Sequence, residues 1–148
     1  LSYYDFIGFV AVTAILLFAL YFGGLWYATY DYRIQMRDQM VGMYQHLPEQ
    51  LPVVSEDYGV HQRWLVFYID GIKILNKPQP ENVINEYRKA LEKEGWAAER
   101  EYVRNDKNKT YGINMRKGEF VFSVSARENR DSINIHLIKR DWIYHMGL

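Results

Sequence analysis

Between Phe6 and Tyr30 the chain carries no charged side chain, and its apolar residues occupy every face of a helix rather than one stripe. At about 1.5 Å per residue the run is roughly 35 Å long, enough to cross the ~30 Å hydrocarbon core of a bilayer. Tyr3 and Tyr4 stand at one end and Trp26, Tyr27, Tyr30 and Tyr32 at the other, where amphipathic rings sit at headgroup level. A secretory signal would show a shorter apolar region, basic residues before it and a small-residue cleavage site behind it. We expect a single transmembrane helix over residues 1–32.

The pattern then changes period. Met36, Met40, Met43 and Leu47 recur at helical spacing among polar residues, which predicts a helical extension to about His46. Pro48 and Pro52 end it, so residues 33–52 read as a helical stalk and a proline-containing linker. The methionine stripe is either an adaptable partner surface or the seam by which the stalk packs on its own domain.

Residues 53–148 read as one small α+β domain, a small antiparallel β-sheet covered by one α-helix. Trp64–Ile69 is a continuous apolar run that suits a covered strand. Asp70-Gly71 reads as a turn, with Ile72–Leu75 resuming the strand or forming another. Pro80 suits the first position of a helix whose apolar stripe is Val83, Ile84, Tyr87, Ala90 and Leu91, and Gly95 is its stop. Four alternating segments follow: Ala98–Arg104, Thr110–Met115, Phe120–Ala126 and Ile133–Lys139. Tyr111, Ile113 and Met115 share one face, as do Phe120, Phe122, Val124 and Ala126, and Ile133, Ile135 and Leu137.

Composition narrows the chemistry. With 18 Lys and Arg against 18 Asp and Glu, the chain lacks the basic excess that phosphate neutralisation requires, so no nucleic-acid partner is expected. It has no cysteine, hence no disulfide, thiolate ligand or thiol nucleophile. His46, His61, His136 and His145 do not show metal-ligand spacing, and no phosphate loop, nucleophile elbow or dinucleotide fingerprint occurs. We therefore expect no catalytic, cofactor-binding or metal residues. Arg116 and Lys117 beside Gly118 are a basic hairpin turn, and Asn108-Lys-Thr110 is a glycosylation triplet. Glu99 and Glu101 read as acids on an exposed strand face.

The C-terminal stretch instead crowds Trp142, Ile143, Tyr144, Met146 and Leu148 together, apolar groups that need cover from their own domain, a partner or the membrane interface. Met36, Met40, Met43, Trp142, Ile143, Tyr144 and Met146 are thus the candidate partner-binding residues. The expected partners are other membrane-protein subunits, or copies of the chain itself, together with the lipid bilayer.

Two resemblances add to this reading. Pro80-Glu-Asn-Val83, Tyr87, Leu91 and Gly95-Trp96, followed by strands with a Lys117-Gly118 hairpin, are similar to small domains of bacterial lipoproteins and membrane-anchored envelope proteins. That likeness implies a domain outside the cytoplasm with a binding or structural role. Leu1, Asp5 and the long N-terminal helix resemble the plan of type IV pilins and pseudopilins, with Asp where that family has Glu. This second likeness implies a filament subunit. Arg33 and Arg37 after the helix, with no Lys or Arg before it, count the opposite way for orientation.

Overall fold

The structure, a computed structural model, describes residues 2–47, 51–105 and 107–147. Pro48 and Leu148 lie outside the described residues. The chain divides into two compact units, residues 1–35 and 36–148.

In the first unit helix α1 spans Tyr3–Ala28. Ser2 and Asp5 start it with a reciprocal capping box: Asp5 N–H donates to Ser2 Oγ at 3.3 Å, and Ser2 N–H donates to Asp5 Oδ2 at 2.9 Å. None of its side chains is buried by the chain itself, and it is long and apolar enough to cross a membrane. The helix breaks at Thr29 (φ −95°, ψ 4°) before α2, Tyr30–Gln45, which runs across the division between the units. The cause is local: the Thr29 hydroxyl donates to the Leu25 carbonyl at 2.8 Å, a back-bond of the kind that bends helices.

The second unit holds a fully antiparallel six-stranded sheet in the order β1-β2-β6-β5-β4-β3. Its strands are β1 Val53–Arg63, β2 Val66–Leu75, β3 Ala97–Asn105, β4 Lys109–Lys117, β5 Phe120–Arg127 and β6 Ser132–Lys139, with α3, Pro80–Lys93, between β2 and β3. The alternating positions pair as expected. Ile113 stands opposite Val124 and Val124 opposite Ile135, while Met115 faces Phe122 and Phe122 faces Leu137. These residues form one apolar face. Helix α3 lays Val83, Ile84, Tyr87, Ala90 and Leu91 on it, all buried, with the Tyr87 ring 6.1 Å from that of Phe122. Each such large side chain is worth about 1.5–3 kcal/mol. Gly95 ends α3 at φ +84°, and Trp96 N–H returns to the Leu91 carbonyl at 3.0 Å, which seats its ring 6.2 Å from Phe122.

Three expectations change. The strand β1 had no signal, because its residues are exposed or half-buried throughout and do not alternate in polarity. Trp64 and Leu65 are not strand residues but the turn between β1 and β2, Trp64 taking φ +55°. Asp70-Gly71 is not a turn: both lie within the uninterrupted β2, and the bulge sits on β1 between Val53 and Ser55. Gly71 is there for space, since a Cβ would overlap the hydroxyl of Tyr44.

Tyr44 is the link between helix and strands. Its ring, 2% exposed, packs 4.7 Å from that of Tyr58 on β1. Burial, with Glu56 nearby, pushes its phenol well above the ordinary tyrosine range. The apolar face is thus covered by α3, as expected, and Tyr44 from the end of α2 comes down on it at β1 and β2. Gly71→Ala should destabilise the domain by about 1–3 kcal/mol, read as a lower denaturant midpoint for the full chain in mild detergent; an unchanged midpoint would show that Tyr44 does not depend on this gap.

Candidate functional site: the open face of the sheet

Alternation leaves the opposite face of the sheet to mostly polar side chains, with Val66, Ile72, Ile74, Val121 and Ile138 among them. On it, Asp70 of β2 stands opposite His136 of β6, His136 opposite Ser123 of β5, Ser123 opposite Asn114 of β4, and Asn114 opposite Arg100 of β3. The Asp70 carboxylate accepts from His136 Nδ1–H at 2.6 Å. The Tyr68 ring lies between two imidazoles, 5.3 Å from His61 and 5.6 Å from His136. Tyr68 and His136 of this ladder border a cleft of about 590 Å³ that Arg63, Val66, Ile138 and Tyr144 also line. A second hollow of about 350 Å³ adjoins it, between Asp70, Ser123, Ser125, Asn134 and His136, with Tyr102 at its rim. Gly112 shapes that rim, because a Cβ there would overlap the Tyr102 phenol.

Aromatic rings beside short hydroxyl, amide and carboxylate groups present stacking surfaces and both donors and acceptors. The row Asp70, His136, Ser123 has the residue types of a charge relay, yet no hydrogen bond joins Ser123 to His136, and the strand N–H groups around them serve the sheet ladders rather than an oxyanion. Among the described residues, no group of three or more His, Asp or Glu side chains is placed to hold a metal ion.

The candidate partner-binding residues fall into two groups. Met36 and Met40 are 3% and 0% exposed and Ile143 is 0% exposed, so these three belong to the chain's own core and are corrected from surface to packing residues. Apolar groups at helical spacing serve a seam on the chain's own domain as well as a partner, and here the seam takes them. Met43 is half-buried. Trp142, Tyr144 and Met146 remain exposed. They sit in and just after a short helix, α4, Trp142–His145, which Asp141 caps by accepting from Tyr144 N–H at 3.1 Å. Tyr144 reaches the open face as part of the cleft wall.

The other charged candidates are engaged locally. Arg116 pairs with Glu99 at 3.3 Å, and Lys117 Nζ donates to the Glu94 carbonyl at 2.7 Å, so that hairpin is a structural knot rather than an anion site. Glu99 also meets Arg140, and Glu101 pairs with Arg88 of α3; both lie on the exposed strand as expected, and each is paired there. At the end of α1 the Arg33 guanidinium lies 3.9 Å over the Trp26 ring, with Nη2 donating to the Trp26 carbonyl at 3.0 Å and Nε to Thr29 Oγ1 at 3.2 Å. It supplies the cation and donors that the helix end otherwise lacks. Burial pulls its ionisation below the usual arginine value.

Residues that serve recognition rather than folding should be separable from the core. The side chains of His136 and Asp70 are 39% and 53% exposed, so His136→Ala should cost well under about 1 kcal/mol. Lys73, 2% exposed, pairs with Glu56 at 3.4 Å, and Glu56→Gln should cost about 1–3 kcal/mol. Urea denaturation of both variants checks the contrast; a His136→Ala loss as large as that of Glu56→Gln would make the ladder a folding element. Comparison of the chain with family models, with curated proteins and with solved structures finds no match.

Proposed function

We propose that this chain is a non-catalytic, single-pass subunit of a larger membrane or envelope complex, acting in assembly or stabilisation through its membrane helix and its small α+β domain. The observation that carries the reading is α1: 26 residues, apolar on all sides, none buried by the chain's own fold. Its partner-free surface is suited to lipid and to neighbouring helices. The polar, aromatic-rimmed open face gives the domain a recognition surface, and among the described residues no hydrogen bond joins Ser123 to His136 on it.

The domain is assigned to the extracytoplasmic side. The envelope-domain likeness supports this, and Arg33 has a structural reason for its place, since it caps the end of α1. That weakens its standing as a topological signal. In the filament reading, Asp5 would serve the amino terminus of a neighbouring copy; here its carboxylate accepts from its own chain's Ser2 N–H, so the heteromeric subunit is preferred.

Affinity purification of the full chain in mild detergent, followed by mass spectrometry, should recover at least one other membrane protein in near-stoichiometric amount. Recovery of the chain alone, or of helical filaments by electron microscopy, would overturn the reading. Leu16→Arg, which places a charge mid-helix at a cost of about 2.5–3.5 kcal/mol, should release the chain from carbonate-washed membranes; retention would show that α1 is not the anchor. A reporter active only after export, fused behind the domain, should be active, and activity of a cytoplasmic reporter instead would reverse the assigned side.

A further inference from the structure

The sheet has two outer strands, and they differ in how they guard their free edges. β3 carries a bulge between Ala98 and Arg100, and two of the registers in which it could pair antiparallel with its own copy are opposed by charge. Centred on Glu101 it would set that acid against itself, and centred on Tyr102 it would set Arg100 against Arg104. These are devices by which natural edges resist pairing.

β1 lacks them over Asp57–Arg63. Its bulge lies before this segment, the register to β2 is unbroken along it, and it contains neither proline nor lysine. Tyr58 and Val60 are 37% and 39% exposed there. The segment is also self-complementary. In an antiparallel pair of two copies centred on Val60, Val60 meets Val60, Tyr58 meets Gln62, and Asp57 meets Arg63 twice, once on each side of the two-fold axis. Asp57 and Arg63 lie on the open face, opposite Ile72 and Val66 of β2, and neither makes an ion pair with another described residue. Moving the centre by one residue to either side separates Asp57 from Arg63.

We infer that the β1 edge binds a second copy of this chain, residues 57–63 of the two copies pairing antiparallel about Val60 so that one sheet runs through both. The inference does not rest on the heteromeric reading above, since a dimer is compatible with further subunits or with none.

The test is a charge swap in the full chain, with the protein mass measured by light scattering in mild detergent across a dilution series. The wild type should be a dimer of the 17.7 kDa chain. Asp57→Arg and Arg63→Asp should each raise the dissociation constant about tenfold, because each replaces two cross-strand attractions by repulsions, and the double variant should regain the wild-type value. Because the chain has no cysteine, Val60→Cys gives a single thiol that a short bis-maleimide should join into a covalent dimer, whereas Val103→Cys on β3 should stay uncrosslinked. A monomeric wild type would overturn the inference. So would a dimer indifferent to the single swaps or not restored by the double one, equal crosslinking at both edges, or crosslinking of Val60→Cys only to a different protein.

Discussion

A sheet whose strands alternate apolar and polar residues has one face to hide and one to show, and the organisation of this domain follows from that division. Ile113, Val124, Ile135 and Leu137 commit one side to burial. The cover comes from two separate pieces of chain, α3 over β3, β4 and β5, and the Tyr44 end of α2 at β1 and β2. Gly71 matters because it lets a large aromatic side chain come down on the backbone of a strand in mid-sheet. Lys73, on the same face, is paired there with Glu56, so the hidden side holds a charge pair within its apolar layer.

The shown side is where recognition chemistry collects. Tyr68, Asp70, Asn134, His136, Ser123 and Ser125 reach it only because each sits one residue out of phase with a core residue. The C-terminal turn contributes to both sides of the ledger: Ile143 is fully buried, while Tyr144 walls the cleft beside Tyr68 and Arg63. A tail that looks in sequence like one docking strip is therefore an anchor and an exposed rim.

Much of the fold was legible because periodicity carries it. The uncharged run of α1, the stripe and glycine stop of α3, and the alternation of β4 to β6 each translate directly into an element. β1 was not legible, since an outer strand exposed on both faces has no apolar pattern to display. Asp70-Gly71 misled for a physical reason, because the small residue that favours turns is also the one that makes room for an incoming ring. The open-face ladder was out of reach in the linear sequence. His61, Tyr68, Asp70 and His136 are spread over three strands, and only the register of β1 with β2 and of β2 with β6 brings them together. The polar residues at alternate positions of β2 and β6 were the available signal that this face is not part of the core.

The two units pose one question in two solvents. α1 offers an apolar surface that its own chain leaves uncovered, and the domain offers a polar face furnished for contact. We propose that both are occupied by other subunits. Site-specific photo-crosslinking in intact cells, with the probe at Leu16 in α1 or at Ser123 on the open face, tests this directly. Discrete protein adducts from both positions are predicted; adducts to lipid alone from Leu16 together with none from Ser123 would contradict it.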